Sequence, residues 1–212
     1  EEARAIVKAI ETLLADPVLR ADAQAWHDKT VNSMRMEQAP KTLKRPMRTI
    51  HSPTIAVTAL YPTQALLIQH LLRQSRELAQ GDSRLIVAPA KPEHALRTDY
   101  FALLESPEGV ISIEVDVPEA FRQRECFLMI LGLTRSHAER EIQWGQPELL
   151  PLALTRPSGR LLLFGDRMTL DRCQAERACG DCNAPTFTLE QSLASRLVNY
   201  LSRHQEHSIL EL

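Results

Sequence analysis

A chain of 212 residues with 44% hydrophobic and 25% charged residues has the size and composition of one ordinary globular domain, which excludes a disordered or low-complexity protein. No apolar run approaches the roughly 18 residues of a membrane span and no signal-peptide pattern opens the chain, so a cytoplasmic protein without membrane contact is expected. The formal net charge of −2 excludes an overall basic field that would recruit nucleic acid, so any such contact has to be local.

Residues 3–14 carry Ala5, Ile6, Ala9, Ile10, Leu13 and Leu14 at helical spacing, and Asp16-Pro17 ends that helix. The first residue is Glu1 rather than Met and lies already in the helical pattern, which suggests a piece of a longer protein. Residues 18–34 continue as a second helix, so 1–35 form an N-terminal helical segment. Residues 36–50 are a basic linker loop, with Lys41, Lys44 and Arg45 between Pro40 and Pro46; it reads as a solvated loop or a phosphate-contacting strip. Residues 51–212 hold the remainder of the domain.

A strand over 55–59 leads through Tyr61-Pro62 into a helix over 63–80 that stops at Gly81-Asp82. A strand over 84–88, a helix over 92–104 and strands over 110–115 and 126–133 follow. A short helix then ends at Leu154-Thr155-Arg156, a Pro157-Ser158-Gly159 turn intervenes, and the apolar run 161–164 forms a buried strand. The segment 188–203 is an amphipathic helix with Leu189, Leu193, Leu197 and Leu201 on one face. Strands interleaved with helices predict an α/β fold with a mostly parallel sheet and helices on both faces. In it the strands near 55–59, 111–115, 127–133 and 161–164 are neighbours.

Three stretches carry the chemistry: TIAVTALYPTQALLIQ (54–69), VISIEVDVPEAFRQRECFLMILGLTRS (110–136) and ELLPLALTRPSGRLLLFGD (148–166). In this order they resemble the later motifs of superfamily 1 DNA and RNA helicases, on the branch containing the nonsense-mediated-decay helicases. The opening EEARAIVKAIETLL resembles the helix that precedes those motifs. The resemblance covers nearly the whole chain and implies the second, C-terminal RecA-like domain, a three-layer α/β fold.

It further implies that Arg156 is the catalytic cation facing the transferred phosphate, a task suited to a permanently charged guanidinium. The other reading of Arg156 is a structural tie between helix and sheet. Glu125 matches the family glutamate that accepts hydrogen bonds from the nucleotide ribose, with Arg124 and Thr155 as companions at the nucleotide. Its alternative is a salt bridge inside the Arg122-Gln123-Arg124-Glu125 cluster. Gln64 and Arg135 are the candidate nucleic-acid contacts, made mainly to the backbone of DNA or RNA. ATP and Mg would be held mainly by a preceding RecA-like domain, the expected partner.

Two departures stand out. Arg122-Gln123 replaces the family's Gln-Gly, so positive-φ backbone there would carry a cost, and Pro157-Ser158 replaces a second arginine. A P-loop is absent, because none of the seven glycines is followed by lysine; the strand-end carboxylates Asp116 and Asp166 then read as polar strand ends or caps. Cys173, Cys179 and Cys182, with His204 and His207, contain one CxxC but lack a second, so no metal site is assigned and the zinc question stays open. Cys126 reads as core. Two function classes follow: the C-terminal motor domain of an ATP-dependent helicase or translocase, or a degenerate non-catalytic module serving as a nucleic-acid-binding or protein-interaction scaffold.

Overall fold

The computed structural model describes residues 1–37, 52–79, 84–88, 100–106, 109–133, 149–165 and 193–203. Helix α1 (Glu2–Ala15) buries Ala3, Ile6, Val7, Ile10 and Leu14, the three-and-four spacing of one helical face. Asp16 turns extended and accepts a hydrogen bond from Val18 N at 2.9 Å, while Pro17 supplies the first residue of α2 (Pro17–Glu37). An aspartate cap followed by proline suits a helix start, because proline lacks only an N–H that has no partner there. Helix α2 therefore runs through Glu37, slightly into the expected linker; the rest of 36–50 lies outside the described residues.

Strand β1 (Ile55–Ala59) is buried along its whole length and leads through Tyr61 into α3 (Pro62–Gln74), again with proline in the first turn. Strands β2 (Arg84–Ala88), β3 (Tyr100–Ser106), β4 (Gly109–Asp116), β5 (Cys126–Gly132) and β6 (Pro157–Phe164) complete one sheet of order β2-β3-β4-β1-β5-β6. The run β4-β1-β5-β6 is parallel, and β3 is antiparallel to both β2 and β4. The four strands expected as neighbours are thus contiguous. Helices α1, α2 and α3 cover one face around Ile6, Ile10, Ile55, Val57, Ile68 and Leu128. On the other, Ala56, Phe121, Cys126 and Met129 form a second cluster. There the 3₁₀ turn Pro118–Phe121 packs against α4 (Leu149–Leu154), which also contacts β5 and β6. This is a three-layer α/β arrangement. Helix α5 (Leu193–Arg203) belongs to a separate compact unit, with Leu197 and Leu201 half-buried and Tyr200 exposed.

Three expected elements differ. The helix over 63–80 stops at Gln74, where Ser75 is extended and its hydroxyl donates to Glu11 Oε1 at 2.6 Å. A 3₁₀ turn Glu77–Ala79 then buries Leu78. The helix expected over 92–104 is overturned at its C-terminal end: residues 100–104 begin β3, and 89–99 lie outside the described residues. Ala102 and Leu104 are buried while Leu103 is half-buried, a period-two pattern that a short apolar run hides. Finally, Pro157-Ser158-Gly159 is no turn but the start of β6, and the run 161–164, expected as a buried strand, lies on the edge of the sheet among the described strands with Leu161 exposed and Leu162, Leu163 and Phe164 half-buried. Proline is tolerated there because a first edge residue can forgo its N–H.

A bulge in β5 shapes that edge. Phe127 N and Leu128 N both donate to Thr54 O at 3.1 Å, and the β5–β6 register shifts between Cys126 and Leu128. Phe127 and Leu128 thereby join the helix-covered core, while Cys126 faces the other side. The Phe127 ring lies beside Trp26 of α2 at 6.4 Å and across Gly159, where an added Cβ would come within 2.6 Å of the ring and 2.8 Å of Phe127 O. Gly159→Ala should therefore lower stability by about 1–3 kcal/mol, read as a reduced urea midpoint. An unchanged midpoint would show that Phe127 yields freely.

Candidate functional site

The loop from Val117 to Glu125 brings the Arg122-Gln123-Arg124-Glu125 cluster to the amino end of β5. Arg122 N donates to Glu119 O at 3.2 Å and Arg124 N to Phe121 O at 3.2 Å, so two tight turns follow one another. Between them Gln123 has φ +61°, the single positive-φ non-glycine among the described residues. The chain thus keeps a left-handed residue where the resembled motif has glycine, at a cost of about 1 kcal/mol relative to glycine.

That reversal sorts the charges. Arg124 turns inward, 5% exposed, and its Nη2 donates to both carboxylate oxygens of Glu114 at 2.6 Å each. Its guanidinium carbon lies 5.6 Å from the centre of the Phe121 ring. Arg124, a candidate nucleotide contact, is therefore committed to a buried ion pair rather than presented outward. Glu114, in the middle of β4 and 3% exposed, is a residue the sequence reading missed. The available signal was a lone carboxylate inside the apolar run VISIEV, which needs a cation once buried. Glu125, by contrast, is exposed and makes no hydrogen bond or ion pair among the described residues. The salt-bridge alternative for Glu125 within its own cluster is not realised there.

Arg156 closes the same edge from the other side. It ends the α4–β6 junction, its N–H donating to Ala153 O and its carbonyl accepting from Cys126 N, both at 3.2 Å. The half-buried guanidinium donates through Nη2 to Thr155 Oγ1 at 3.1 Å, and its Nε is buried without a hydrogen-bond partner. No carboxylate pairs with it among the described residues, so the purely structural tie is limited to its backbone. Thr155 is held by Pro151 O and Leu152 O, at 3.0 and 3.2 Å. Where a second arginine was expected, Ser158 Oγ donates instead to Cys126 O at 3.1 Å.

Cys126 sits at the centre of these charges. Burial pushes its thiol from 9.0 up to about 12; the Ala56 backbone, Arg124 and Arg156 hold it down in part, and Glu125 opposes them. On unfolding the thiol returns to ordinary acidity, so the unfolded state loses its proton first. Stability contributed by the protonated thiol is complete below pH 9 and is lost progressively towards pH 12. The expected slope is up to about 1.4 kcal/mol per pH unit in that window. Urea titrations of wild type and Cys126→Ala at several alkaline pH values check it: the difference between the two should shrink as pH rises. A constant difference would contradict the burial of the thiol.

The other candidates lie elsewhere. Gln64 stands at the opposite, carboxyl end of the parallel strands, where its Nε2 donates to Glu2 Oε1 at 2.7 Å beside Gly132. Arg135, Asp166, Cys173, Cys179, Cys182, His204 and His207 lie outside the described residues. Among the described residues no cluster of side chains is placed to hold a metal ion, and no helix is long and apolar enough to cross a membrane. A groove of about 400 Å³ between α1 and α3, lined by Arg4, Lys8, Glu11 and Gln74, includes none of the candidate residues. Lys8 is engaged there by Glu77 at 2.9 Å and Glu11 at 3.6 Å. The hydrogen bond and charge of Glu77 raise the Lys8 pKa, and Lys8 lowers that of Glu77 in turn. These ties join α1 to the 3₁₀ turn. No protein-family model, curated protein or solved structure matches this chain.

Proposed function

We propose that this chain is the C-terminal RecA-like motor domain of an ATP-dependent superfamily 1 DNA or RNA helicase or translocase. In this reading Arg156 faces the phosphates and Glu125 the ribose of an ATP bound mainly, with Mg, by a P-loop domain that partners it. One observation carries the reading. Two residues 31 positions apart in sequence, Glu125 and Arg156, come to one edge of β5 and β6 with neither paired to an opposite charge among the described residues. A carboxylate acceptor suits a ribose hydroxyl pair, and an unpaired guanidinium suits a phosphate. Gln64, at the far end of the strands, would have to exchange its hydrogen bond to Glu2 for a backbone contact with DNA or RNA in the same scheme.

A second reading, a non-catalytic module acting as a scaffold, draws on Ser158. Its hydroxyl is engaged by Cys126 O, so the edge carries Arg156 where the resembled motif has two cations. The purified chain is expected to show no magnesium-dependent ATP turnover under either reading, because the P-loop supplies most triphosphate and magnesium contacts. Phosphate-release assays check this, and turnover abolished by Arg156→Ala would overturn it. The two readings separate on binding. ADP at millimolar concentration should shift the amide NMR signals of Glu125, Cys126 and Arg156 in the motor reading. Signals that stay still at saturating ADP would favour the scaffold.

A further inference from the structure

Glu114 is an expensive residue to keep in β4. The strand is central, between β3 and β1, and its neighbours Ile113 and Val115 are buried on the helix-covered face. On the other face the carboxylate is 3% exposed, and a buried charge is tolerated only when it is paired. Arg124 provides the pair from a loop ten residues on, with both carboxylate oxygens taken by one nitrogen. The loop in turn adopts a left-handed Gln123 immediately before Arg124. A strained residue of this kind persists where surrounding contacts over-determine it. Here those contacts are the Arg124–Glu114 pair, the ring of Phe121 beneath the guanidinium, and the turn bond from Arg124 N to Phe121 O.

With Arg124 drawn inward, its neighbour Glu125 is exposed and Cys126 is buried at the start of β5. Cys126 N is already fixed to Arg156 O, so the direction of Arg124 sets where Glu125 stands relative to Arg156. We propose that Glu114 and Arg124 are positioning residues that hold Glu125 at the amino edge of β5 for a nucleotide ribose, Arg124 acting through the loop and not by touching the ligand. This rests on the motor-domain reading for the identity of the ligand. The mechanical part, that the pair locks the loop, stands on the contacts alone.

The experiment uses the whole chain and two independent readouts. The first is alkylation of Cys126 by iodoacetamide, followed by peptide mass mapping, which reports whether the loop has opened. The second is the ratio of affinities for ADP and 2′,3′-dideoxy-ADP, which reports the ribose contact. Glu114→Gln should accelerate alkylation of Cys126 about tenfold or more. It should also abolish whatever ribose preference the wild type shows, as Glu125→Gln does, and the double variant should lose no more than either single one. Where Glu114→Gln does not fold, Arg124→Lys carries the same test, since it keeps the charge but loses the fixed guanidinium geometry. An unchanged alkylation rate in a folded variant overturns the lock. Faster alkylation with the ribose preference retained overturns the positioning role. A wild type indifferent to the ribose, with Cys126 exposed by Glu114→Gln, overturns the nucleotide reading and leaves the lock standing.

Discussion

Arg156→Ala, made in a protein that joins this chain to an active P-loop domain, should lower ATP turnover about a hundredfold or more while leaving the fold intact. The fold should survive because the structural contacts of Arg156 are backbone ones, to Ala153 O and from Cys126 N, and alanine keeps both. What the substitution removes is a guanidinium bonded, among the described residues, through its side chain to Thr155 Oγ1, with its Nε buried and without a hydrogen-bond partner among them. In the motor reading such a group meets an acceptor that arrives with the nucleotide, and its value would lie in the charge that develops during transfer. The loss should therefore fall on kcat, whereas Glu125→Ala should chiefly raise KM, since ribose contacts are alike in ground and transition states. Arg156→Lys should fall between, retaining charge without the forked hydrogen bonds. Steady-state kinetics with circular dichroism on each variant decide the matter. If Arg156→Ala lowers thermal stability but not turnover, the arginine is a structural tie and the scaffold reading gains.

The two central parallel strands were legible because they are written in continuous apolar runs. Ile55–Ala59 and Cys126–Gly132 are buried on every residue, and such runs have few alternative homes in a chain of this size. The antiparallel β3 was not legible. Its residues Ala102, Leu103 and Leu104 are apolar without a break, and only tertiary pairing with β2 and β4 reveals which of them faces the core. Pro157 and Gly159 misled for a related reason. Both punctuate local structure, yet here one begins an edge strand and the other makes room for the Phe127 ring.

At the site, motif order pointed to Arg156 and Glu125, but the environment of the charges around them was not legible. Four consecutive polar residues, Arg122 to Glu125, look equivalent in sequence; the left-handed Gln123 and the carboxylate of Glu114 decide that Arg124 goes in and Glu125 comes out. The cost expected at the missing glycine is incurred and not avoided. No sequence rule short of the fold itself pairs residue 114 with residue 124.

Arg124→Ala should be the most destabilising single change at this edge, by about 3–5 kcal/mol, because it takes the guanidinium away from the Glu114 carboxylate in a site 3% exposed. That loss is large against the roughly 5–15 kcal/mol by which domains of this kind are stable, so the variant should sit near its unfolding midpoint at ordinary temperatures. The cause is the lost counter-charge and not the lost contact area, and a double variant separates the two. Glu114→Leu with Arg124→Met removes both charges and fills most of the volume, so it should be close to wild type or more stable by about 1–4 kcal/mol. The comparison works because the attraction between two buried ions roughly balances their desolvation, whereas an ion deprived of its counter-ion keeps its desolvation cost without that attraction. Urea denaturation of the wild type, both single variants and the double completes the cycle, and a coupling of several kcal/mol is expected between positions 114 and 124. If Arg124→Ala costs under about 1 kcal/mol, the pair is solvated like a surface bridge. The loop it holds would then be open in solution, and Glu125 would lose the fixed place beside Arg156 on which the nucleotide reading depends.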